Sequence, residues 1–331
     1  MRYPKTYERT TAIGAAAARP KGSRMPAIIT HHLFGEDASR RLPDETAYEG
    51  EELLAFLLGN QGPDPFYFCF TATPTAIQTC HAFAEAMHQD HVVESLLSAR
   101  QAVTHIPAGD QGVARAFVMG LLAHYLLDSE AHAFIYAQEK AICEAGVGLE
   151  DAHDEVHALI ESELDTWMLW SARQQTISDA PAHANLARTE RVSRVAGTIF
   201  SQIAWQNFGI TLGPDRYEGC LRDYELVYRA IDPTGNPRGR MIAGAERLGS
   251  RYSRLDALSH AAEPTEDCPA ANLACHPWCD PLTGEAQTTS FPDVFYDSLD
   301  KWPPLACAYA HGDDAALTAL VSRGYDGKPL A

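Results

Sequence analysis

The chain has 331 residues, of which 46% are hydrophobic and 21% charged, the balance of an ordinary globular protein. Its formal net charge of −18 argues against a nucleic-acid partner held by phosphate contacts and against docking on anionic lipid. No apolar run reaches the ~20 residues that span a bilayer, so we expect no transmembrane segment. Eight scattered cysteines favour a reducing compartment. Together these features predict a cytoplasmic protein.

In chain order, residues 1–24 are basic with only a short Ala run, too weak for a signal-peptide core. We predict a flexible leader there, and Met25 is an alternative start. We expect residues 25–260 to form the main domain. Apolar residues recur in it at three- and four-residue steps, which predicts helices over 50–60, 79–103, 111–142, 149–173, 191–206 and 217–231. Alternating strands are absent, so the predicted fold is all-α, a multi-helix bundle. Residues 261–331 open with a Pro-, Cys- and Gly-rich stretch, which predicts a loop-rich segment packed on the bundle.

A polar stripe runs along the most apolar predicted helix, in "GLLAHYLLDSEAHAFIY" (120–136). Residues four apart on a helix lie nearly above one another, so His124, Asp128 and His132 share one line. A buried, unpaired aspartate costs several kcal/mol, so Asp128 must be protonated, hydrogen-bonded or metal-bound. A satisfied polar core remains the alternative interpretation for this helix alone.

The next predicted helix repeats the pattern with His157, Glu161 and Asp165. Two facing helices with histidine and carboxylate stripes are what a multi-metal site in a bundle needs.

Two further stretches add candidate ligands. Asp64 lies between Pro63 and Pro65, which we expect to hold the chain extended and to position the carboxylate. The pair "HH" (31–32) follows a short apolar run, and in an extended segment only one of the two faces a shared site. On the second helix, one of His81, His88 and His91 is expected to be a ligand. A set of nitrogen and oxygen ligands suits zinc, and clustered metal ions are typical of phosphodiester hydrolysis.

These residues lie in stretches that resemble the zinc-dependent phospholipase C family. The stretches are "ITHHLFGE" (29–36), "LGNQGPDPF" (58–66), "AMHQDH" (86–91), "GLLAHYLLDSEAH" (120–132) and "HALIESELD" (157–165). A weaker match, "ANLACHPWCDPLTGEAQTTSF" (271–291), resembles the intracellular bacterial branch. The resemblance implies a helical zinc-hydrolase domain that cleaves a phospholipid into diacylglycerol and a phosphorylated head group. Without the N-terminal Trp that binds one zinc in secreted members, it implies two or three ions.

The resemblance also assigns the ligands one by one. The first zinc would be held by Asp64, His88, His124 and Asp128. The second would be held by His132, His157 and Glu161, and the third by His31 with Asp128. It further implies that Asp64 is the general base and that Asp165 orients a ligand histidine.

Other interpretations use some of the same residues. "EAMH" (85–88) and "EDAH" (150–153) have the Glu-x-x-His spacing of di-iron carboxylate bundles, but that scheme leaves the two stripes unexplained. A single-strand nuclease-like enzyme is disfavoured by the charge, whereas another soluble phosphodiesterase is not. The non-catalytic alternative is a helical binding protein in which a metal ion only stabilises the bundle. The sequence specifies neither the head group nor the oligomeric state.

Overall fold

The computed structural model describes residues 27–42, 47–264 and 267–330; the predicted leader and the alternative start at Met25 lie outside them. The described residues form twelve α-helices and one hairpin of two-residue strands, so the predicted all-α fold is confirmed. The first six helices are α1 (Ile28–Arg40), α2 (Gly50–Gly59), α3 (Pro74–Gln89), α4 (Val92–His105), α5 (Gln111–Glu144) and α6 (His153–Arg173). The others are α7 (Glu190–Phe208), α8 (Arg216–Ile231), α9 (Pro237–Glu246), α10 (Arg254–Ala257), α11 (Phe291–His311) and α12 (Asp314–Leu320). The strands are β1 (Trp278–Cys279) and β2 (Ala286–Gln287), which pair antiparallel.

Helix α5 is the central element of the bundle. Its 34 residues extend about 51 Å at ~1.5 Å per residue, and its middle is buried on nearly every side. It packs against α2, α4, α6 and α11, and α2 crosses it where Gly59 meets Gly120. At this crossing a Cβ atom on Gly120 would collide with the carbonyl oxygen of Phe56. The two backbones can therefore approach only because both residues lack side chains.

The structure differs from the predicted elements in the first third of the chain. The stretch 79–103 is two helices, because His91 adopts a left-handed backbone (φ 54°) between α3 and α4. His31 and His32 lie on a helix, not on an extended segment. Asp64 starts a short 3₁₀ helix, Asp64–Phe68, and is not in extended chain. Proline is well suited to the first turn of such a helix, where its missing N–H has no partner to lose.

The C-terminal segment contains more helix than its composition predicts. Residues Phe291–His311 form α11, which packs on α5, and a capping box at Ser290 and Asp293 fixes its start. The preceding stretch is mostly loop, as expected, and Trp278 packs on Phe134 of α5. The long helix was not predicted because Pro303 and Pro304 interrupt the expected helical pattern inside it.

In the parts of the chain that the structure describes, no helix is long and apolar enough to cross a membrane.

Candidate metal centre

The two stripes and their neighbours meet in one buried centre between α1, α3, α5 and α6. Its first group of side chains is His31 from α1 with His124 and Asp128 from α5. The Nε2 atom of His31 lies 3.0 Å from Oδ1 of Asp128, and the Nε2 atom of His124 lies 3.4 Å from Oδ2. Both histidines therefore face the same carboxylate, one on each oxygen.

A second group joins the first through His124. Asp64, at the start of the 3₁₀ helix, lies with Oδ1 3.0 Å from Nε2 of His88 and with Oδ2 3.6 Å from Nε2 of His124. His88 also approaches Asp128, at 3.9 Å. The four side chains thus surround one small space with two carboxylates and two imidazole nitrogens.

The third group lies further along α5 and α6. His132 is one turn beyond Asp128, and its ring stacks on that of His157 at a centroid distance of 5.7 Å. The Nε2 atom of His157 lies 3.4 Å from Oε1 of Glu161. One potential ligand atom from each of the three residues lies within 4.8 Å of the others.

Backbone oxygens and one carboxylate fix how the histidine rings point. The Nδ1 atom of His88 lies 2.7 Å from the carbonyl oxygen of Ala84, and that of His124 lies 3.1 Å from that of Asn60. His132 uses Nδ1 in the same way, toward the carbonyl oxygens of Asp128 and Tyr325. The Nδ1 atom of His157 lies 3.1 Å from Oε2 of Glu139. Each of these partners leaves Nε2 directed into the centre, as in protein metal sites whose ligands are held from outside.

Burial and charge shift the pKa values of the centre in both directions. Burial opposes the charged forms of His31, His88 and His157, but the neighbouring carboxylates raise the pKa of His31 and His88 and raise that of His157 to about 9. A metal ion that binds these three rings has to displace their protons.

Burial lowers the pKa of His124 to about 4, so its ring is neutral at physiological pH and has a free lone pair. Burial by itself raises the pKa of Asp128, but the charges of His124 and His132 and the hydrogen bond from His31 hold it well below its usual range. Burial raises the pKa of Glu161 to about 6, although the charge of His157 acts in the opposite direction, and a bound cation would lower it again.

Whether these residues fit a metal cluster can be tested by asking which of their buried polar atoms have hydrogen-bond partners. Four such atoms have no hydrogen-bond partner among the described residues: Oδ2 of Asp64, Nε2 of His124, Nε2 of His157 and Oε2 of Glu161. An unpaired buried polar atom costs ~1–3 kcal/mol, more if charged, so four in one place need an explanation. All four belong to ligand types that zinc prefers.

The model of one protein family matches this chain. It is the zinc dependent phospholipase C family, and the match covers residues 30–208, more than half of the chain. The chain belongs to this family. Neither the curated proteins nor the solved structures contain a match.

The range matched by the family model contains all eight side chains of the centre. The group of His132, His157 and Glu161 has the same members as the second set that the resemblance implied. The other two groups differ from the implied sets, because Asp64, His88 and His124 group without Asp128, and Asp128 groups with His31 and His124.

Of the three histidines considered on and after α3, His88 faces the centre. His91 is exposed, and His81 lies elsewhere, beside Cys69. On α1 only His31 faces the centre, while His32 pairs with Glu36.

The resemblance implied that Asp165 orients a ligand histidine, but Asp165 contacts the backbone at the start of α1 instead. Its carboxylate accepts hydrogen bonds from the backbone N–H groups of Ile29 and Thr30, at 2.9 and 2.7 Å, and it contacts His260. It does not bond the ring of a ligand histidine in the described structure. It fixes the first turn of α1, and through that turn the position of His31.

Three contributors were not predicted from the sequence. Glu139 holds His157, and a helical count could have found it, because it lies seven residues after His132 on the same face of α5. His260 bridges Asp165 and Asp232, and no sequence pattern links it to the two stripes. Tyr325 lies outside the range matched by the family model and packs on the rings of His88 and His124, at 5.1 and 5.7 Å. No local sequence pattern links residue 325 to a centre formed two hundred residues earlier.

Proposed function

We propose that this member of the zinc-dependent phospholipase C family is a phosphodiester hydrolase with two or three zinc ions. Its proposed substrate is a phospholipid, cleaved to diacylglycerol and a phosphorylated head group. The observation that carries the proposal is the convergence of three buried ligand groups in which four polar atoms have no hydrogen-bond partner among the described residues. A helical binding protein would not need so many unpaired buried groups, because each one lowers its stability.

We divide the eight side chains among the ions as the family resemblance implies. Asp64, His88, His124 and Asp128 would hold the first, His132, His157 and Glu161 the second, and His31 with Asp128 the third. Bound zinc would polarise the phosphoryl oxygens and lower the pKa of a coordinated water.

Asp64 is the side chain assigned as general base. Its Oδ1 atom lies 3.0 Å from Nε2 of His88, and its Oδ2 atom, which has no hydrogen-bond partner among the described residues, lies 3.6 Å from Nε2 of His124. With one of these oxygens on the proposed zinc, the other would accept a proton from water. In the proposed reaction an attacking water gives that proton to Asp64 while its oxygen bonds to phosphorus. The bond between phosphorus and the glycerol oxygen breaks, and this oxygen takes up the proton that Asp64 accepted, so no proton is gained or lost overall. A positioned base of this kind contributes ~10²–10⁴-fold to the rate.

The metal content of the purified full-length protein is the first test. We expect two or three zinc ions per chain by elemental mass spectrometry, and we expect most of them to be lost in Asp128→Ala, since Asp128 faces both His31 and His124. Iron in place of zinc would support the di-iron carboxylate interpretation. Absence of metal after zinc loading would contradict the proposal.

The role of Asp64 is tested with Asp64→Asn, which keeps the shape and removes the base. We expect this variant to retain most of its zinc and to lose ~10²-fold or more of the hydrolysis of phosphatidylcholine vesicles. Asp297→Asn is the matched control, because Asp297 is an exposed carboxylate on α11. Equal activity of Asp64→Asn and wild type would refute the assignment. Hydrolysis of bis-p-nitrophenyl phosphate without hydrolysis of vesicles would identify a soluble phosphodiesterase instead.

A further inference from the structure

A cluster of three cysteines lies outside the proposed zinc centre. Cys69 directly follows the 3₁₀ helix Asp64–Phe68, Cys80 lies on α3, and Cys220 lies on α8. All three are buried, and their sulfur atoms lie within 4.8 Å of one another. They come from positions up to 151 residues apart (220 − 69), so the fold and not the local sequence brings them together.

The spacing of the sulfurs fits a shared metal ion. With metal–sulfur bonds of ~2.3 Å, two thiolates on one ion lie about 3.8 Å apart in a tetrahedron and about 4.0 Å apart in a trigonal plane. The sulfurs of Cys80 and Cys220 are 3.9 Å apart. No large rearrangement of the backbone is therefore needed for these thiols to bind a single ion.

One positive charge acts on the three thiols. Hydrogen bonds with Cys220 and Cys80 lower the pKa of the Cys69 thiol, and the positive charge of Arg216 acts in the same direction. The interactions with Cys69 and burial raise the pKa values of Cys80 and Cys220, so only a bound cation would ionise all three. A cationic side chain close to a thiol is typical of thiolate metal sites, whereas an apolar thiol cluster does not need one.

We propose that Cys69, Cys80 and Cys220 bind a structural zinc ion, separate from the proposed catalytic cluster. The three thiols release their protons to solvent as three sulfur–zinc bonds form, and no oxidation or reduction takes place. The ion would tie α8 both to α3, which carries His88, and to the 3₁₀ helix, which carries Asp64. It would thus fix the positions of two elements that carry ligands of the proposed catalytic zinc centre.

Cobalt(II) substitution distinguishes this site from the other one, because only sulfur ligands give the intense sulfur-to-cobalt charge-transfer band. All eight ligands of the proposed catalytic cluster are nitrogen or oxygen. We expect reduced, metal-free full-length protein to develop the band on titration with Co²⁺ and to lose it on addition of Zn²⁺. The same band is expected in Asp128→Ala, so failure of the catalytic proposal would leave this result unchanged.

Two cysteine variants complete the test. Cys220→Ser should abolish the band, and Cys69→Ala, at the end of the 3₁₀ helix, serves as a second variant if the first does not fold. Cys275→Ser/Cys279→Ser should retain it, because these two thiols are exposed in the C-terminal segment. Absence of the band from fully reduced wild-type protein would overturn the proposal. So would its loss in the Cys275→Ser/Cys279→Ser protein alone.

Discussion

At the scale of single residues, Gly62 determines where a ligand histidine lies. It has φ +52°, and a Cβ atom there would collide with the ring of His124. Gly62→Ala should therefore displace His124 and lower the zinc content, in addition to the ~1–2 kcal/mol of left-handed backbone strain. The measurements are zinc content and the free energy of unfolding.

Gly50→Ala provides the matched control for this substitution. Gly50 has nearly the same backbone angle, φ +54°, but among the described residues no atom lies within 4 Å of the place that a Cβ would occupy. Gly50→Ala should lose similar stability from strain while retaining its zinc. Equal zinc content in the two variants would show that the ring of His124 tolerates the extra methyl group.

His260 predicts a loss of stability at alkaline pH. Burial opposes its charge, but the negative charge of Asp232 and the hydrogen bonds to Asp165 and Asp232 raise its pKa to about 10, above the ordinary value of 6.5. Because the folded-state pKa is the higher one, the stabilisation is complete below pH 6.5 and is lost as the pH rises toward 10. Urea unfolding across this range should show a steeper decline for wild type than for His260→Asn. His105→Asn, at an exposed histidine, should behave like wild type.

Much of the centre could be predicted from the sequence because its ligands follow helical spacing. His124, Asp128 and His132 on α5, and His157 with Glu161 on α6, are four apart, and any helix places such residues on one side. The contacts of Tyr325 and His260 could not be predicted in this way. They depend on how distant segments pack, which no local period specifies.

At the scale of elements, the crossing of α2 and α5 depends on Gly120. Gly120→Ala places a methyl group against the carbonyl oxygen of Phe56, and overpacking of this kind costs ~1–3 kcal/mol. Gly219→Ala is the control, because a Cβ added to Gly219 on α8 would meet no described atom within 4 Å, and Ala is favoured over Gly in a helix by ~0.5–1 kcal/mol. Chemical denaturation should show a lower free energy of unfolding than wild type for Gly120→Ala and a higher one for Gly219→Ala. If Gly120→Ala left the free energy of unfolding unchanged, α2 and α5 could move apart at this crossing without loss of stability.

The helices themselves were predictable where apolar residues recur without interruption, as in α5 and α7. The break at His91 could not be predicted, because the apolar period continues from α3 into α4 and a single residue with a left-handed backbone makes the turn. The 3₁₀ helix at Asp64 was missed for a related reason. Two prolines are compatible both with extended chain and with a tight helical turn, and only packing decides between them.

At the scale of the whole molecule, the C-terminal turn around Tyr325 closes the centre. The side chain is fully buried, its backbone oxygen lies 2.8 Å from Nδ1 of His132, and Tyr125 bonds the neighbouring carbonyl of Arg323. Tyr325→Ala should cost ~3–5 kcal/mol and speed the removal of zinc by a chelator. Tyr325→Phe, which keeps the ring, should resemble wild type in both measurements. Equal chelation rates for Tyr325→Ala and wild type would show that the turn does not limit access.

The ligands and the residue that covers them are encoded far apart in the chain. Every proposed ligand of the centre falls between His31 and Glu161, within the range matched by the family model, whereas Tyr325 falls beyond it. Substitutions at Tyr325 can therefore disturb the rings of His88 and His124 while every proposed ligand stays in place. A search for loss-of-function variants that inspects the ligands alone would overlook them.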